Sequence, residues 1–258
     1  MRCRPTLATD VIENLPPVDG CLVCVKSFDL SDAARQLGAR LSGRAEVVPL
    51  LNGIDIYNRM RGHIRNGAIF PACVFVGTHI VEPGVVSQDG GAGRILLGPA
   101  PSGAGGQSVL MKKVFELSGI THEWHDDILP SIWTKFIFIA SFGLVTACFN
   151  ATLGQVMQSA ELGSRVRSIM KEILLLSAAK GIELPAEIME DSYREGNAFP
   201  PDAKTSFQRD FERQDRPDER DLFGGTIIRL GSELGIPTPS TQELHALICQ
   251  RKAMTPAL

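Results

Sequence analysis

The chain has 258 residues, 44% of them hydrophobic and 21% charged, with a net charge of −3 at neutral pH. That length can bury one large core or two modest ones. The slight negative charge argues against general affinity for nucleic acid or an anionic membrane. No charged segment followed by an apolar stretch opens the chain, which argues against secretion. The six cysteines, Cys3, Cys21, Cys24, Cys73, Cys148 and Cys249, read as reduced thiols of a cytoplasmic protein. Cys21-Leu-Val-Cys24 has the spacing of a metal or redox motif. It falls in an apolar run, however, and residues i and i+3 of a strand face opposite ways.

The first half alternates short apolar strands with amphipathic helices. Residues 20–25 form a continuous apolar run, as expected of a strand buried on both faces. Ala33, Leu37 and Leu41 then recur at helical spacing. Residues 45–50 read as a second strand, 54–64 as a short helix and 68–77 as a third strand. This alternation predicts a parallel sheet with helices on its faces. From His79 onward, short strands separated by Pro83-Gly84 and by residues 89–93 predict an antiparallel flank. Residues 107–118 read as a helix ending at Gly119. Of two glycine clusters, residues 90–93 read as a turn. Gly103-Ala-Gly-Gly-Gln-Ser108 precedes a helix and approaches Gly-x-Gly-x-x-Gly, but it ends in Ser and follows Pro99 and Pro101. With no acidic residue closing a following strand, it reads as a capping loop.

Beyond about residue 126 the strand signals stop. Lys135 is the only charged residue between Ile132 and Phe149, and its neighbours along one helical face are Ile139, Phe142 and Thr146. None of these can neutralise an ammonium, and taking a lysine out of water is expensive. Such a lysine can hold its proton beside a substrate carboxylate and release it when a carbonyl is reduced. The plainer alternative is a first-turn lysine that snorkels to solvent. The apolar run after it is too short to span a membrane, so it reads as a buried core helix. Leu162, Val166, Ile169, Ile173 and Leu176 mark another helix ending at Gly181, and further helices are expected at 186–195, 203–213, 218–235 and 239–252. The fold class is therefore α/β followed by all-α, with an α/β domain over residues 1–125 and a helical one over 126–258.

Four segments occur in a recognisable order. They are Val25-Lys-Ser-Phe28 and Pro49-Leu-Leu-Asn-Gly-Ile54, each closing a strand, Ile132-Trp-Thr-Lys135, and Arg216-Pro-Asp-Glu-Arg-Asp221 before Gly225-Thr-Ile-Ile-Arg-Leu-Gly231. Together they resemble the ketopantoate reductase (2-dehydropantoate 2-reductase) family over nearly the whole chain. The resemblance implies a Rossmann-type domain followed by a helical domain that often pairs into a homodimer. It also implies reduction of a small 2-keto acid by NADPH, with ketopantoate to pantoate as the family default in pantothenate and coenzyme A biosynthesis. By the same resemblance, Lys26 and Asn52 lie near the nicotinamide ribose and Lys135 is the catalytic proton donor. Glu219 helps to orient that lysine, and Thr205 and Ser206 stand where the family binds the substrate carboxylate.

The chain departs from that family in two places. No Gly-x-Gly-x-x-Gly loop precedes Val25, so the first βαβ unit, roughly 30 or more residues, has no counterpart. This carries the expectation of a longer natural protein or of a truncated, non-enzymatic remnant that folds or dimerises without dinucleotide. The sheet left behind should expose an edge and an apolar face. The second departure concerns substrate: Ile139, Gly143 and Leu153 stand where well-known members carry asparagines. Losing several hydrogen-bonding groups can change the substrate, so a 2-keto acid with a bulkier apolar group is a further expectation. A related hydroxyacid dehydrogenase using NAD in the oxidative direction is a third.

Overall fold

The computed structural model describes residues 4–88, 93–101, 106–213 and 215–254. Residues 90–92 of the glycine cluster expected as a turn, residues 103–105 of Gly103–Ser108, and Cys3 lie outside the described residues. Contacts divide the chain into an α/β unit, Met1–Leu51 with Asp55–Ile128, and a helical unit, Asn52–Ile54 with Leu129–Leu258.

The α/β unit runs β1 (Val18–Val23), α1 (Leu30–Gly38), β2 (Leu41–Pro49), α2 (Ile56–Arg61), β3 (Ala68–Ile69), β4 (Ala72–Phe75), β5 (Thr78–Glu82), β6 (Val85–Gln88), β7 (Arg94–Leu97), α3 (Leu110–Ser118) and β8 (His122–Trp124). Strands β1, β2 and β3 form a parallel sheet in that order, with Cys21 opposite Val47 and Leu22 opposite Val48. The central strand carries the core: Ala45, Val47 and Val48 are fully buried. Strand β1 forms an edge of this sheet, and Leu22, Val25 and Phe28 in and after it are 40%, 36% and 38% exposed.

Several local expectations are corrected. Residues 68–77 are two strands in two sheets. Pro71 has no N–H for a ladder, and the chain changes sheets there. Phe70 N donates to Val47 O in the first sheet (2.8 Å), while Pro71 O accepts from Gly98 N beside the second (3.1 Å). Leu41 opens β2 and does not extend α1, whose buried face is Leu30, Ala34 and Leu37. Of the antiparallel flank expected after His79, β5 pairs with β6 in a sheet of its own, while β7 pairs antiparallel with β4, from before His79, in another sheet separate from the parallel one. Strand β8, parallel to β7, has no signal of its own in the sequence.

Helix α3 begins on a carboxylate from β2. Glu46 accepts the Ser108 hydroxyl at 2.6 Å and the N–H groups of Val109, Leu110 and Met111 at 3.0, 3.0 and 2.9 Å. These are helix-start donors with no intrahelical partner, and a negative charge suits the positive end of the helix dipole. Burial pushes the Glu46 carboxyl up, but the four hydrogen bonds outweigh it and hold it below its ordinary value. The α3 end follows the sequence: Gly119 closes the helix at φ +66°.

The helical unit contains α4 (Leu129–Phe149), α5 (Leu153–Gln158), α6 (Ala160–Ala179), α7 (Ile188–Glu195), α8 (Ser206–Glu212), a π-helical turn (Asp221–Gly225), α9 (Thr226–Leu234) and α10 (Pro239–Met254). Helix α4 is its axis, packed on α6, α7, α8, α10 and the π turn. Fourteen of its 21 residues are buried, including Phe136, Ile137, Phe142 and Leu144. A helix that is apolar all round belongs in a core. By length and composition α4 could cross a membrane, yet 78% of its 18-residue apolar window is buried. Glu172 on α6 repeats the device seen at α3, accepting Ser240 N (2.7 Å), Thr241 N (3.0 Å) and Thr241 Oγ1 (2.6 Å) at the start of α10.

Candidate active site

Lys135 stands in the second turn of α4, one turn deeper than a simple snorkelling lysine, and is only partly exposed. Its ammonium donates to Asn52 Oδ1 at 2.8 Å. A lysine can only donate, so the Asn52 amide must turn its oxygen inward, which leaves the NH2 group on the other side. Asn52 follows β2 and is aimed by an Asn-Gly turn in which Gly53 takes φ +120°, a conformation that strains any side chain. The 83-residue separation of the pair hides it from any local pattern.

Glu219 is 5% exposed, although the sequence shows it inside a charged run. The turn that buries it is braced from both sides. Arg220 donates to Asp218 from its backbone N (3.1 Å), Nε (2.8 Å) and Nη2 (2.5 Å). Lys252 of α10 reaches Asp218 at 3.7 Å and donates to the carbonyls of Arg213 (2.6 Å) and Arg216 (3.2 Å). Burial raises the Asp218 carboxyl, but the hydrogen bonds and charge of Arg220, with Lys252, outweigh it and bring it below its ordinary value. The Glu219 carbonyl accepts Phe223 N (3.2 Å), leading into the π turn that packs on α4. π turns inside helices are frequent at functional sites.

Thr205 caps α8, accepting Gln208 N at 3.2 Å, and shares a 2.8 Å hydrogen bond with Thr146 of α4. Thr146 in turn donates to Gly143 O at 3.3 Å. Ser206, the next residue, is exposed. Of the three positions where family asparagines were expected, Leu153 and Gly143 are buried and Ile139 is partly exposed. A Cβ on Gly143 would meet Phe207 Cβ at 3.5 Å, an ordinary van der Waals contact, so α8 packs directly on this part of α4.

Lys26 follows the carboxyl end of β1, partly exposed, with its carbonyl accepting Asp29 N at 3.0 Å. It belongs to the α/β unit, whereas Asn52, Lys135, Thr205, Ser206 and Glu219 belong to the helical one. The structure thus brings Asn52 to Lys135 and Thr205 to Thr146. Thr146 was visible in the sequence only as a neighbour on the lysine's face, and the Asp218 brace carried no signal beyond the charge run. Cys21 and Cys24 are free, and burial pushes both thiols up, away from the reactive thiolate. Among the described residues no three or more His, Cys, Asp or Glu side chains gather to hold a metal ion.

Comparison with known proteins bears on the family and the fold. The model for ketopantoate reductase PanE/ApbA matches residues 1–102, and that for the ketopantoate reductase PanE/ApbA C terminal matches 127–252. A 2-dehydropantoate 2-reductase from Mycobacterium tuberculosis is 26% identical over 234 residues, 90% of this chain and 76% of that protein. The solved PanE/ApbA family ketopantoate reductase from Ralstonia eutropha JMP134 superposes with a TM-score of 0.84 at 26% identity, covering 95% of this chain and 79% of its own. D-mandelate dehydrogenase, solved with NADH and anilino(oxo)acetate, shares the fold at 21% identity, with a TM-score of 0.81 over 92% of this chain and 77% of its own. With one family model matching residues 1–102 and another matching 127–252, the chain belongs to the ketopantoate reductase family.

Proposed function

We propose that this protein is an NADPH-dependent reductase of a small 2-keto acid, with ketopantoate as the family's default substrate. The observation that carries this reading is the Lys135 ammonium, set in an apolar helix and hydrogen-bonded to Asn52 at 2.8 Å. Bound nicotinamide would supply the hydride to C2 of the keto acid. Lys135 Nζ gives its proton to the ketone oxygen, and its positive charge offsets the alkoxide that develops there. Asn52 Oδ1 fixes the direction of the ammonium. Glu219, buried on the braced turn, helps to orient the lysine. The exposed Ser206 hydroxyl holds the substrate carboxylate, and Thr205 sets its position by capping α8.

The residues present fit a dinucleotide at its nicotinamide end. Lys26 and Asn52 follow the carboxyl ends of adjacent parallel strands, where open α/β sheets bind ligands. The start of α3 offers no pyrophosphate site, because Glu46 already takes the N–H groups of Val109, Leu110 and Met111.

Replacing Lys135 with Ala should lower kcat/KM for 2-keto acid reduction by about 10²- to 10⁴-fold, with far-ultraviolet circular dichroism unchanged. Retained turnover in Lys135→Ala would sink the assignment. The alternative is a helical unit that folds or dimerises without dinucleotide. Calorimetric titration separates the two, since saturable NADPH binding by the 258-residue chain contradicts the second.

A further inference from the structure

We infer that Lys252 is a positioning residue of this reductase, holding from α10 the turn that presents Glu219. This rests on the reductase reading of Lys135 and on the orienting role of Glu219. The chain after Glu219 is keyed to α4. Phe223 stacks on Phe136, the residue next to Lys135, with both rings fully buried and their centroids 6.2 Å apart. Phe223 N donates to Glu219 O at 3.2 Å, so the residue whose ring packs on α4 also sets the backbone of Glu219.

The chain before Glu219 is held by side chains. Arg216 donates to Asp210 of α8 at 2.8 Å, and Arg220 chelates Asp218. Lys252 joins these pieces. Its ammonium donates to Arg213 O at 2.6 Å and Arg216 O at 3.2 Å, and stands 3.7 Å from Asp218 Oδ2. An ammonium carries three N–H groups and here meets three acceptors. The Asp218 side chain is fully buried and that of Lys252 is 16% exposed, so salt screens the pair little.

Helix α10 can serve as the anchor because both its ends are themselves fixed. Glu172 of α6 takes the N–H groups at its start. Near its other end Arg251, the neighbour of Lys252, donates to Cys148 O in the last turn of α4. Lys252 thus carries the position of α4 round to the far side of the Glu219 turn. Removing the ammonium takes away the common partner of two carbonyls and a buried carboxylate. Glu219 then loses its fixed approach, and a misplacement of about 1 Å at a reacting site can cost about 10²-fold in rate.

Steady-state kinetics with NADPH would be measured on the 258-residue chain as wild type, Lys252→Met, Glu219→Gln and the double variant. The substrate is ketopantoate or, where it is reduced faster, 3-methyl-2-oxobutanoate. Lys252→Met keeps most of the alkyl stem and should lower kcat by about 10- to 100-fold. In the Glu219→Gln background the same change should cost less than about twofold, because no carboxylate remains to be placed. A residue that served only the fold would lower kcat equally in both backgrounds. Equal losses, or an unchanged kcat in Lys252→Met, overturn the inference and leave the reductase reading standing. So does a Glu219→Gln variant as active as wild type. Should Lys252→Met fail to fold, Lys252→Arg keeps the charge, but its planar fork cannot converge on the three acceptors as an ammonium does. Its loss should be smaller and should again vanish with Glu219→Gln; an equal loss in both backgrounds overturns the inference. Turnover of neither substrate by the wild-type protein overturns the reductase reading, and the inference with it.

Discussion

The two units bury their central elements to different degrees. In the helical unit, α4 is enclosed on all sides by α6, α7, α8, α10 and the π turn. In the α/β unit, β2 is enclosed, but its neighbour β1 is an edge strand followed by partly exposed Val25 and Phe28. Yet both units use the same long-range device: a carboxylate from one element accepts the leading N–H groups of a helix more than 60 residues away. Apolar burial is unequally shared between the units, while satisfaction of helix ends is not. The helical unit should accordingly be the more sensitive to core truncation, and both should be sensitive to loss of these carboxylates.

The largest expected effect is in α4. Phe136→Ala removes a fully buried ring stacked on Phe223, at 6.2 Å between centroids, and should cost about 3–5 kcal/mol in urea unfolding. Loss of less than 1 kcal/mol would break the picture of α4 as the core of its unit. Next comes Glu172→Ala, which strands two N–H groups and a hydroxyl at the start of α10 and should cost about 1–3 kcal/mol. A cost near zero, with the amides of Ser240 and Thr241 still protected from hydrogen exchange, would show that water replaces the carboxylate.

A smaller effect depends on pH. Asp218 and Glu46 both have carboxyl values lowered in the fold. Their stabilisation is therefore complete above the ordinary carboxylate value of about 4 and is lost as pH falls through the lowered folded values. Asp218→Asn and Glu46→Gln should each be less stable than wild type at pH 7 and should converge with it in strong acid. A stability gap that stays constant with pH would mean that the lost side chain acted through shape and not through charge. The smallest effect is at the exposed edge: Leu22→Ala should change stability by no more than about 0.5 kcal/mol. A larger loss would show that something covers β1 in solution.

Much of the local structure was legible from the sequence. The unbroken apolar run after Lys135 required a buried helix, and Gly119 required a left-handed helix end, because both follow from short-range chemistry. Pro71 was also visible, but whether it bends one strand or divides two depends on which partner strands lie alongside. Leu41 fits a helical face as well as a strand start, and only pairing with β1 decides between them. At the candidate site, Lys135 stood out as an uncompensated charge, whereas Glu219 looked like one solvated acid among several. It is buried on a turn that Arg220 and Lys252 brace through Asp218, and that long-range bracing has no local signature.

The sequence by itself determined where the chain turns helical or extended, and which lysine stands among apolar residues. Those outcomes depend on side chains a few positions apart. Only the tertiary structure decided that Asn52 faces Lys135, that Thr146 engages Thr205, and that Glu46 and Glu172 start distant helices. Each of these is a polar group that had to exchange water for a partner, and the available partner is set by how the elements pack rather than by distance along the chain.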